Sequence, residues 1–418
     1  MTFHTPRARW LSKRLPSFGE HRRLVVLTGA RQTGKTTLAR EHYSNLRYLN
    51  LDNLETRTAL DQLRTAAWAT TVGNAVVDEA QKAPSVFEKV KFAFDGHEID
   101  FTVLLGSSRI LLLRQIRETL AGRAFLYDLW PLMLSELLTP VGATLPRPLF
   151  DHLLTDSPNE VLAEQSPVLL GEEEEERRRA VDFLGTWGGM PALVGLDDED
   201  RRMWLRSYQQ TFLERDLVDL VRLSDLQPFR VLQRLAMLRS GQLLSYSEIA
   251  RDAQISSSTA KRYIEYLRIS YQVALLQPYL RNLTSRTIKT PKIYWLDLGL
   301  LRQGTGQRGA LAGALFETLV IGECQKWIST MARDAELCFY RTRSGLEVDL
   351  LVETPGGVLA IEIKGRDRAH SSDMRGLKTL RGALGDEWRG GLVVTRGRDI
   401  RLLDESHDIW EVPLHRLF

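Results

Sequence analysis

Two groups of residues in this 418-residue chain have the types and spacing that phosphate chemistry requires. The first is Gly29-Ala30-Arg31-Gln32-Thr33-Gly34-Lys35-Thr36-Thr37, which follows a short apolar run and fits the pattern G-x-x-x-x-G-K-S/T. Its glycines permit a tight loop whose backbone N–H groups cradle phosphates at the start of a helix. We therefore expect these residues to bind ATP, with Lys35 reaching the β- and γ-phosphates and Thr36 binding Mg²⁺.

Two later apolar runs complete the pattern of a P-loop site. Ala75-Val76-Val77 ends in the acids Asp78 and Glu79. We expect Asp78 to hold the Mg²⁺ through water and Glu79 to orient the attacking water. The run Phe101-Thr102-Val103-Leu104-Leu105 is followed by Gly106-Ser107-Ser108 and predicts another buried parallel strand with a polar end.

The second group lies near the carboxyl end of the chain. Apolar runs flank Thr354-Pro355-Gly356-Gly357, which predicts a β-hairpin with these four residues as its turn. That register sets Asp349 directly opposite Glu362, and Lys364 shares the face of Glu362. Two carboxylates and a lysine on one face can hold Mg²⁺ and activate water against a phosphodiester. The alternative is an ordinary hairpin with a surface salt bridge.

This hairpin resembles the PD-(D/E)xK nuclease superfamily, which has one Asp followed by Glu-x-Lys on the next strand. The resemblance implies a further acid on a preceding helix, and Glu317 fits that place. The segment Tyr340-Arg341-Thr342-Arg343-Ser344-Gly345 is similar to the branched-DNA resolvases of the superfamily. Domains of this type also occur with DNA-binding or structural roles alone.

The chain as a whole resembles the prokaryotic, archaeal-type AAA ATPases that carry a C-terminal nuclease-like domain of unknown function. Four further segments match that family: Trp130–Leu137, Gly188–Pro191, Phe212–Asp216 and Pro291–Gly299. The resemblance implies that Ser107 or Ser108 senses the γ-phosphate and that Arg123 is an arginine finger completing a neighbouring subunit's site in a hexameric ring. Arg123 is equally well read as an ordinary charge at a helix end.

The elements that position these residues predict an α/β chain of four parts. Residues 1–145 are expected to form a P-loop AAA-type ATPase core, 146–222 a helical lid, 223–304 a winged helix-turn-helix, and 305–418 a restriction-endonuclease-like α/β domain. In the third part, the helix after Ser256 carries the candidate DNA contacts, which are Ser257, Ser258, Lys261 and Arg262. The alternative is that this part docks a protein.

Composition bounds the possible partners. Net charge is +3, from 56 basic and 53 acidic residues, so a basic surface for nucleic acid must be local. Cys324 and Cys338 have no metal-type spacing and fit a reducing cytoplasm, where we read them as structural. The sequence has neither a signal peptide nor an apolar run of membrane-spanning length, so we expect no membrane partner.

Three hypotheses follow. The first is an ATP-driven DNA-processing ring whose C-terminal domain cuts or grips DNA with Mg²⁺ or Mn²⁺. The second is a nucleotide-dependent regulatory switch whose C-terminal domain binds without cleaving. The third is a mobile-element or defence effector in which ATP gates a nuclease, which the sequence does not separate from DNA repair.

Overall fold

The computed structural model describes residues 6–106, 112, 115–221, 226–279, 290–311, 313–342 and 345–418, with backbone only over 211–221. A five-stranded parallel sheet opens the chain, in the order β2-β3-β4-β1-β5. Its strands are β1 (Arg23–Thr28), β2 (Arg47–Asn50), β3 (Ala75–Asp78), β4 (Phe101–Leu105) and β5 (Ala124–Asp128). Its helices are α1 (Lys35–His42), α2 (Leu54–Gln62), α3 (Trp68–Thr71) and α4 (Ser85–Asp95).

The central strands β1, β3 and β4 are apolar because helices cover both faces of the sheet. Leu24 and Val26 pack into one core on one face, while Val25 and Leu27 pack into another on the opposite face. Parallel pairing brings the carboxyl ends of these three strands to one edge. That edge carries the glycine-rich loop, Asp78 and Gly106, as the sequence predicts for a P-loop domain.

The next part of the chain is helical, as predicted. Its helices are α5 (Leu134–Leu138), α6 (Leu149–Thr155), α7 (Pro158–Ala163), α8 (Glu172–Trp187) and α9 (Asp198–Val221). In α8, i,i+4 ion pairs form between Arg177 and Glu173 and between Arg178 and Glu174. Glu174 is buried, however, because Arg398 of the C-terminal region also pairs with it. The charged helix is therefore docked along one side and is not solvated all round.

The third part runs α10 (Gln227–Leu238), β6 (Gln242–Leu243), α11 (Tyr246–Asp252), α12 (Ser257–Ile269), β7 (Val273–Pro278) and β8 (Lys292–Trp295). The hydroxyl of Ser256 accepts from the backbone N of Thr259 at 3.1 Å and caps α12. Strands β7 and β8 pair antiparallel.

The last part contains a mixed sheet flanked by helices. Its elements are α13 (Leu298–Thr305), α14 (Ala314–Met331), β9 (Glu336–Arg341), β10 (Glu347–Thr354), β11 (Gly357–Ile363), α15 (Met374–Leu384), β12 (Trp388–Thr395), β13 (Arg401–Asp404), β14 (Ile409–Pro413) and α16 (Leu414–Leu417). Strands β9, β10 and β11 are antiparallel, whereas β12 is parallel to β11 and β14 is parallel to β12.

One nine-stranded sheet crosses the boundary predicted at residues 304 and 305. Its order is β13-β14-β12-β11-β10-β9-β7-β8-β6, because β7 pairs parallel with β9 through Gln277↔Cys338 and Pro278↔Phe339. The predicted winged-helix strands and the predicted nuclease-like strands therefore share one backbone hydrogen-bond network.

Two of the family-like segments hold each other in place. The buried carboxylate of Asp297 accepts from the backbone N of Gly189 at 2.9 Å and of Leu300 at 3.0 Å. A side chain on Gly188 would place Cβ 2.2 Å from the Asp297 carboxylate, and one on Gly299 would place Cβ 1.9 Å from the Trp187 carbonyl oxygen. These motifs therefore lock the end of α8 against the start of α13.

Cys324 and Cys338 are both buried, and burial raises the pKa of the Cys324 thiol well above its ordinary value. Among the described residues, the helices are all too short or too polar to cross a membrane.

Candidate active sites

The glycine-rich loop, residues 29–34, joins β1 to α1 as predicted. Gly29 has φ 153°, and a Cβ there would lie 2.2 Å from the carbonyl oxygen of Leu129. Gly34 adopts φ 95° in the left-handed region and precedes the first residue of α1. The two glycines therefore allow a loop that other residues would distort.

The polar side chains of this loop converge as the sequence predicts. Lys35 Nζ is buried and donates to the carbonyl oxygens of Gly29 at 2.9 Å and Ala30 at 2.7 Å. The Thr36 hydroxyl donates to Asp78 Oδ2 at 2.6 Å. Thr36 and Asp78 thus form a pair of hard oxygen donors beside the loop, which fits a Mg²⁺ ion.

Two residues that sequence reasoning missed hold the acids. Tyr48 of β2 donates to Asp78 Oδ2 at 2.7 Å, and burial together with Asp78 raises the pKa of Tyr48. Gln81 Nε2 donates to Glu79 Oε2 at 2.5 Å, while Glu79 itself adopts the left-handed φ of 54°. A Cβ on Gly106 would lie 2.6 Å from Gln81 Oε1. Gln81 therefore aligns Glu79 between the ends of β3 and β4.

The remaining ATPase predictions have different outcomes. Ser107 and Ser108 lie outside the described residues. Arg123 follows a π-helical turn (Ile116–Leu120) and forms a two-point ion pair with Asp95 of the same chain, at 2.7 and 3.0 Å. Its assignment as a finger toward another subunit stays a prediction.

Arg9 anchors the glycine-rich loop from the beginning of the chain. Its buried guanidinium donates to the carbonyl oxygen of Thr33 at 2.7 Å, to the carbonyl oxygen of Trp130, and to Glu136 Oε2 at 3.2 Å. Glu136 also accepts from the backbone N of Trp10. One arginine therefore connects the loop, the segment after β5 and helix α5.

Tyr271 connects the loop region to the α12–β7 junction. Its hydroxyl donates to Asp128 Oδ1 at 2.6 Å and lies 3.1 Å from the hydroxyl of Thr28. Its ring packs edge-on against Trp130, in a small apolar cluster with Ala30 of the loop. Tyr271 has φ 64°, a left-handed conformation that non-glycine residues rarely adopt. The contacts of Tyr271 therefore hold the backbone between α12 and β7 in this conformation.

The second candidate site is built on the β10–β11 hairpin. The pairs Thr354↔Gly357 and Leu350↔Ile361 confirm the predicted register. Asp349 Oδ2 accepts from the backbone N of Ile363 at 2.8 Å, which fixes its carboxylate at the end of β11. Lys364 Nζ lies 2.6 Å from Glu362 Oε1 and 3.6 Å from Asp349 Oδ2. The predicted trio is therefore assembled.

Burial controls the ionisation of this trio. Burial, and then the charge of Asp349, raises the pKa of Glu362 to about 8. Burial alone would lower the pKa of Lys364, but the charges of Asp349 and Glu362 raise it. Near neutral pH, Glu362 therefore has a protonated and a charged form, and its charged form has Lys364 as a counter-charge.

Glu317 lies in this site as expected, but with partners that sequence reasoning missed. Its Oε1 accepts from the Tyr294 hydroxyl at 2.6 Å and from Lys292 Nζ at 3.3 Å. Lys292 also forms an ion pair with Glu347. Burial and the charge of Asp349 raise the pKa of Glu317. Strand β8, from the predicted winged helix, thus supplies part of the candidate nuclease site.

Two acids of this site have carboxylate oxygens suited to binding a divalent cation. Glu362 Oε2 is buried and makes no hydrogen bond to any described residue, and Asp349 adjoins it. Glu317 is already held by Lys292 and Tyr294. Within the described ranges, no group of three or more His, Cys, Asp or Glu side chains is placed to share a metal. Asp349 and Glu362 are therefore the candidate metal ligands.

The candidate DNA contacts lie on one exposed helix. Ser257, Ser258, Lys261 and Arg262 are all exposed on the first two turns of α12. The Ser258 hydroxyl lies 2.9 Å from that of Ser256, inside the cap of the helix. The lysine and the arginine are the two positively charged members of this set.

Comparison with known proteins finds families that match three parts of this chain. Residues 21–138 match the family described as "AAA domain", and residues 178–310 and 312–415 match two families described as "Domain of unknown function", DUF8612 and DUF4143. Uncharacterized proteins of Mycobacterium bovis and Mycobacterium tuberculosis are each 30% identical over 355 residues, which are 82% of this chain and 70% of theirs. The chain belongs to their family. Its first part is an AAA-type P-loop ATPase domain.

Two more distant proteins also match this chain. An uncharacterized protein of Methanocaldococcus jannaschii is 24% identical over 347 residues, covering 79% of this chain and 72% of that protein. A solved Walker-type ATPase of Pyrococcus abyssi is 15% identical, covering 73% of this chain and 99% of that chain at a TM-score of 0.43.

Proposed function

We propose that this AAA-type ATPase is an ATP-hydrolysing DNA-processing protein, an oligomeric motor that binds or remodels DNA and carries a metal-dependent nuclease-like domain. The observation that supports this best is the assembly of two phosphate sites in one chain. One is the loop with Lys35, Thr36 and Asp78, and the other is Asp349 with Glu362 and Lys364 on the hairpin. Branched DNA is the substrate class that we favour.

At the first site, the loop binds the phosphates and Lys35 neutralises them, exchanging its carbonyl partners for phosphate oxygens. Thr36 and Asp78 would hold Mg²⁺, which neutralises charge that develops on the phosphates. Glu79, aligned by Gln81, orients a water for attack on the γ-phosphate. We assign Ser107 to sensing the γ-phosphate and Arg123 to completing the site of a neighbouring subunit in a hexameric ring.

At the second site, Asp349 and Glu362 would hold Mg²⁺ or Mn²⁺, which supplies a water activated for attack on a phosphodiester. Lys364 stabilises the charge of the phosphate, since its ammonium lies within 4 Å of both carboxylates. Glu317 holds Tyr294 and Lys292 in place through its hydrogen bonds. Lys261 and Arg262 on α12 would contact the DNA backbone.

A second function is favoured by Lys292. Its ammonium pairs with Glu317 and Glu347, so two of the acids already have a cation of the protein's own. A nucleotide-dependent switch whose C-terminal domain binds without cleaving needs just such internal charge balance. Under this alternative the acids and lysines maintain structure, and ATP changes the oligomeric state.

The decisive experiment is cleavage of labelled duplex, single-stranded, flap and four-way-junction DNA with Mg²⁺ or Mn²⁺, with and without ATP. The wild type is compared with Asp349→Ala and Lys35→Ala, and ATP hydrolysis is measured in the same samples. Cleavage lost in Asp349→Ala supports the nuclease, and Lys35→Ala shows whether ATP drives it. Glu79→Gln should bind ATP and fail to hydrolyse it.

Two results would contradict the proposal. If no DNA structure changes the rate of ATP hydrolysis, the proposal that this protein is a DNA motor is wrong. Intact hydrolysis without cleavage of any substrate would make the C-terminal domain a binding module and leave a motor or a switch as the function.

A further inference from the structure

A group of arginines lies at the same edge of the nine-stranded sheet as Lys364. A cavity of about 270 Å³ is lined by five arginines, which are Arg178, Arg368, Arg396, Arg398 and Arg401. Three acids also line it, so the lining has an excess of positive charge. We call this feature the arginine cavity.

The arginine cavity adjoins the hairpin site through the backbone. The backbone N of Lys364 donates to the carbonyl oxygen of Val394 at 2.8 Å, and that of Arg396 donates to the carbonyl oxygen of Arg366 at 2.8 Å. The loops that follow β11 and β12 therefore run side by side. Because these strands are parallel, their carboxyl ends bring Arg368 and Arg396 to the edge that carries Glu362 and Lys364.

The lining contains two fewer acids than arginines, since its acids are Asp367, Asp399 and Glu411, while Glu174 and Asp182 lie beside it. Glu411 is saturated, because its Oε1 accepts from the backbone N of Ala369 and from the Thr395 hydroxyl, while its Oε2 pairs with Arg401. A single carboxylate, Glu174, lies 3.1 Å from Arg398 and 3.6 Å from Arg178.

The other two arginines have weaker partners. Arg396 donates to the carbonyl oxygen of Leu311 and lies 3.9 Å from Asp182. Arg368 has no ion-pair partner within 4.0 Å among the described residues. The cavity thus offers guanidinium groups with spare donors.

A neighbouring histidine reports the same positive field. His415 is 3% exposed, and its Nε2 makes no hydrogen bond to any described residue. Burial, followed by the charges of Arg178, Arg416, Arg177 and Arg398, lowers the pKa of His415 to about 4. Burial and these arginines together therefore keep this imidazole neutral.

We propose that the arginine cavity binds phosphates of a nucleic-acid backbone that also places a phosphodiester at Lys364. A nucleic acid fits better than a mononucleotide because the lining consists of Arg, Asp, Glu and Gly, without an aromatic or aliphatic side chain to hold a base. Arg398, at 64% side-chain exposure, is open to a long ligand. This inference rests on the proposed function in taking DNA as the ligand.

The test measures DNA binding in full-length protein carrying Asp349→Asn, in EDTA, so that cleavage does not interfere. Fluorescence anisotropy of a labelled duplex and a labelled single strand is followed across a series of salt concentrations. The test variant adds Arg368→Gln with Arg398→Gln. The matched control adds Arg14→Gln with Arg64→Gln, two exposed arginines of the ATPase domain.

The test variant should weaken binding at least about tenfold at moderate salt and reduce the slope of log K against log salt by about 2, or roughly 0.9 per lost phosphate contact. The control should retain the wild-type slope. Arg368→Gln alone, which breaks no ion pair, should reduce the slope by about 1, and serves if the double variant does not fold.

Three results would overturn the inference. Equal slopes for the test variant and wild type would leave DNA processing standing without this site. Failure of the wild type to bind any DNA would remove the proposed function itself. Calorimetric binding of AMP or inorganic phosphate that is lost in the test variant, with DNA binding unchanged, would make the cavity a small-anion site.

Discussion

The Glu362→Gln substitution should stabilise this protein at alkaline pH and leave its stability unchanged at acidic pH. The folded-state pKa of Glu362 is about 8, against an ordinary value of 4.5. Between these values the folded state holds a proton that the unfolded chain has released, so folding stability falls as pH rises through this window. A glutamine amide resembles the protonated acid and has no such penalty.

The size of the effect follows from the same two values. The difference between 4.5 and about 8 corresponds to about 5 kcal/mol at most. That value already includes the attraction between Lys364 and the charged form of Glu362. We therefore expect a gain of a few kcal/mol above about pH 8, with about 5 kcal/mol as its limit.

The assay is urea unfolding of the full chain in EDTA at about pH 5, 7 and 9, followed by tryptophan fluorescence. Glu353→Gln is the control, because it makes the same change at a half-buried position of the same hairpin. The gain should appear for Glu362→Gln alone and should grow with pH. Adding Mg²⁺ should then stabilise the wild type more than the variant if Glu362 is a ligand.

A loss of stability that is the same at every pH would refute this reasoning. It would show that the hydrogen bond to Lys364 outweighs the burial of charge. Equal behaviour of the Glu353→Gln control would likewise remove the special role of Glu362.

Three further predictions concern the connections within the molecule. Arg9→Ala should weaken ATP binding at least about tenfold in calorimetry, because the loop loses its buried anchor, whereas Arg9→Lys should lose less; equal affinities would contradict this. Gly188→Ala should destabilise the fold by about 3 kcal/mol or more, because the new Cβ would collide with the Asp297 carboxylate. The control Gly382→Ala, where the Cβ would meet no atom within 4 Å, should be neutral or stabilising, and thermal melting curves compare the two variants. Tyr271→Phe should lower unfolding free energy by about 1.5 kcal/mol, and an unchanged urea midpoint would dismiss its hydroxyl contacts.

Local patterns predicted the parts of both sites that lie close together in sequence. The loop from Gly29 to Thr36 is defined by its own glycines and by the strand before it. The register of the hairpin follows from its turn, which pairs Leu350 with Ile361 and thereby places Asp349 opposite Glu362. In both cases the determining interactions span few residues.

The residues that sequence reasoning missed arrive from distant elements. Arg9 reaches Glu136 across 127 positions, and Lys292 and Tyr294 reach Glu317 only because β8 joins the nine-stranded sheet. A lysine or an arginine in a single chain has many potential partners, so its pairing depends on the fold. Gln81 was the exception, since it lies two residues after Glu79 and was within reach of local reasoning.

The pairing of β7 with β9 has a consequence for any long ligand of this protein. Helix α12 leads directly into β7, and the acids of the hairpin lie on β10 and β11 of the same sheet. The separation between the exposed face of α12 and Lys364 is therefore set by one continuous sheet. A DNA held at both places would be protected over a footprint whose length this sheet sets, and any cut would fall at a matching offset from the α12 contact.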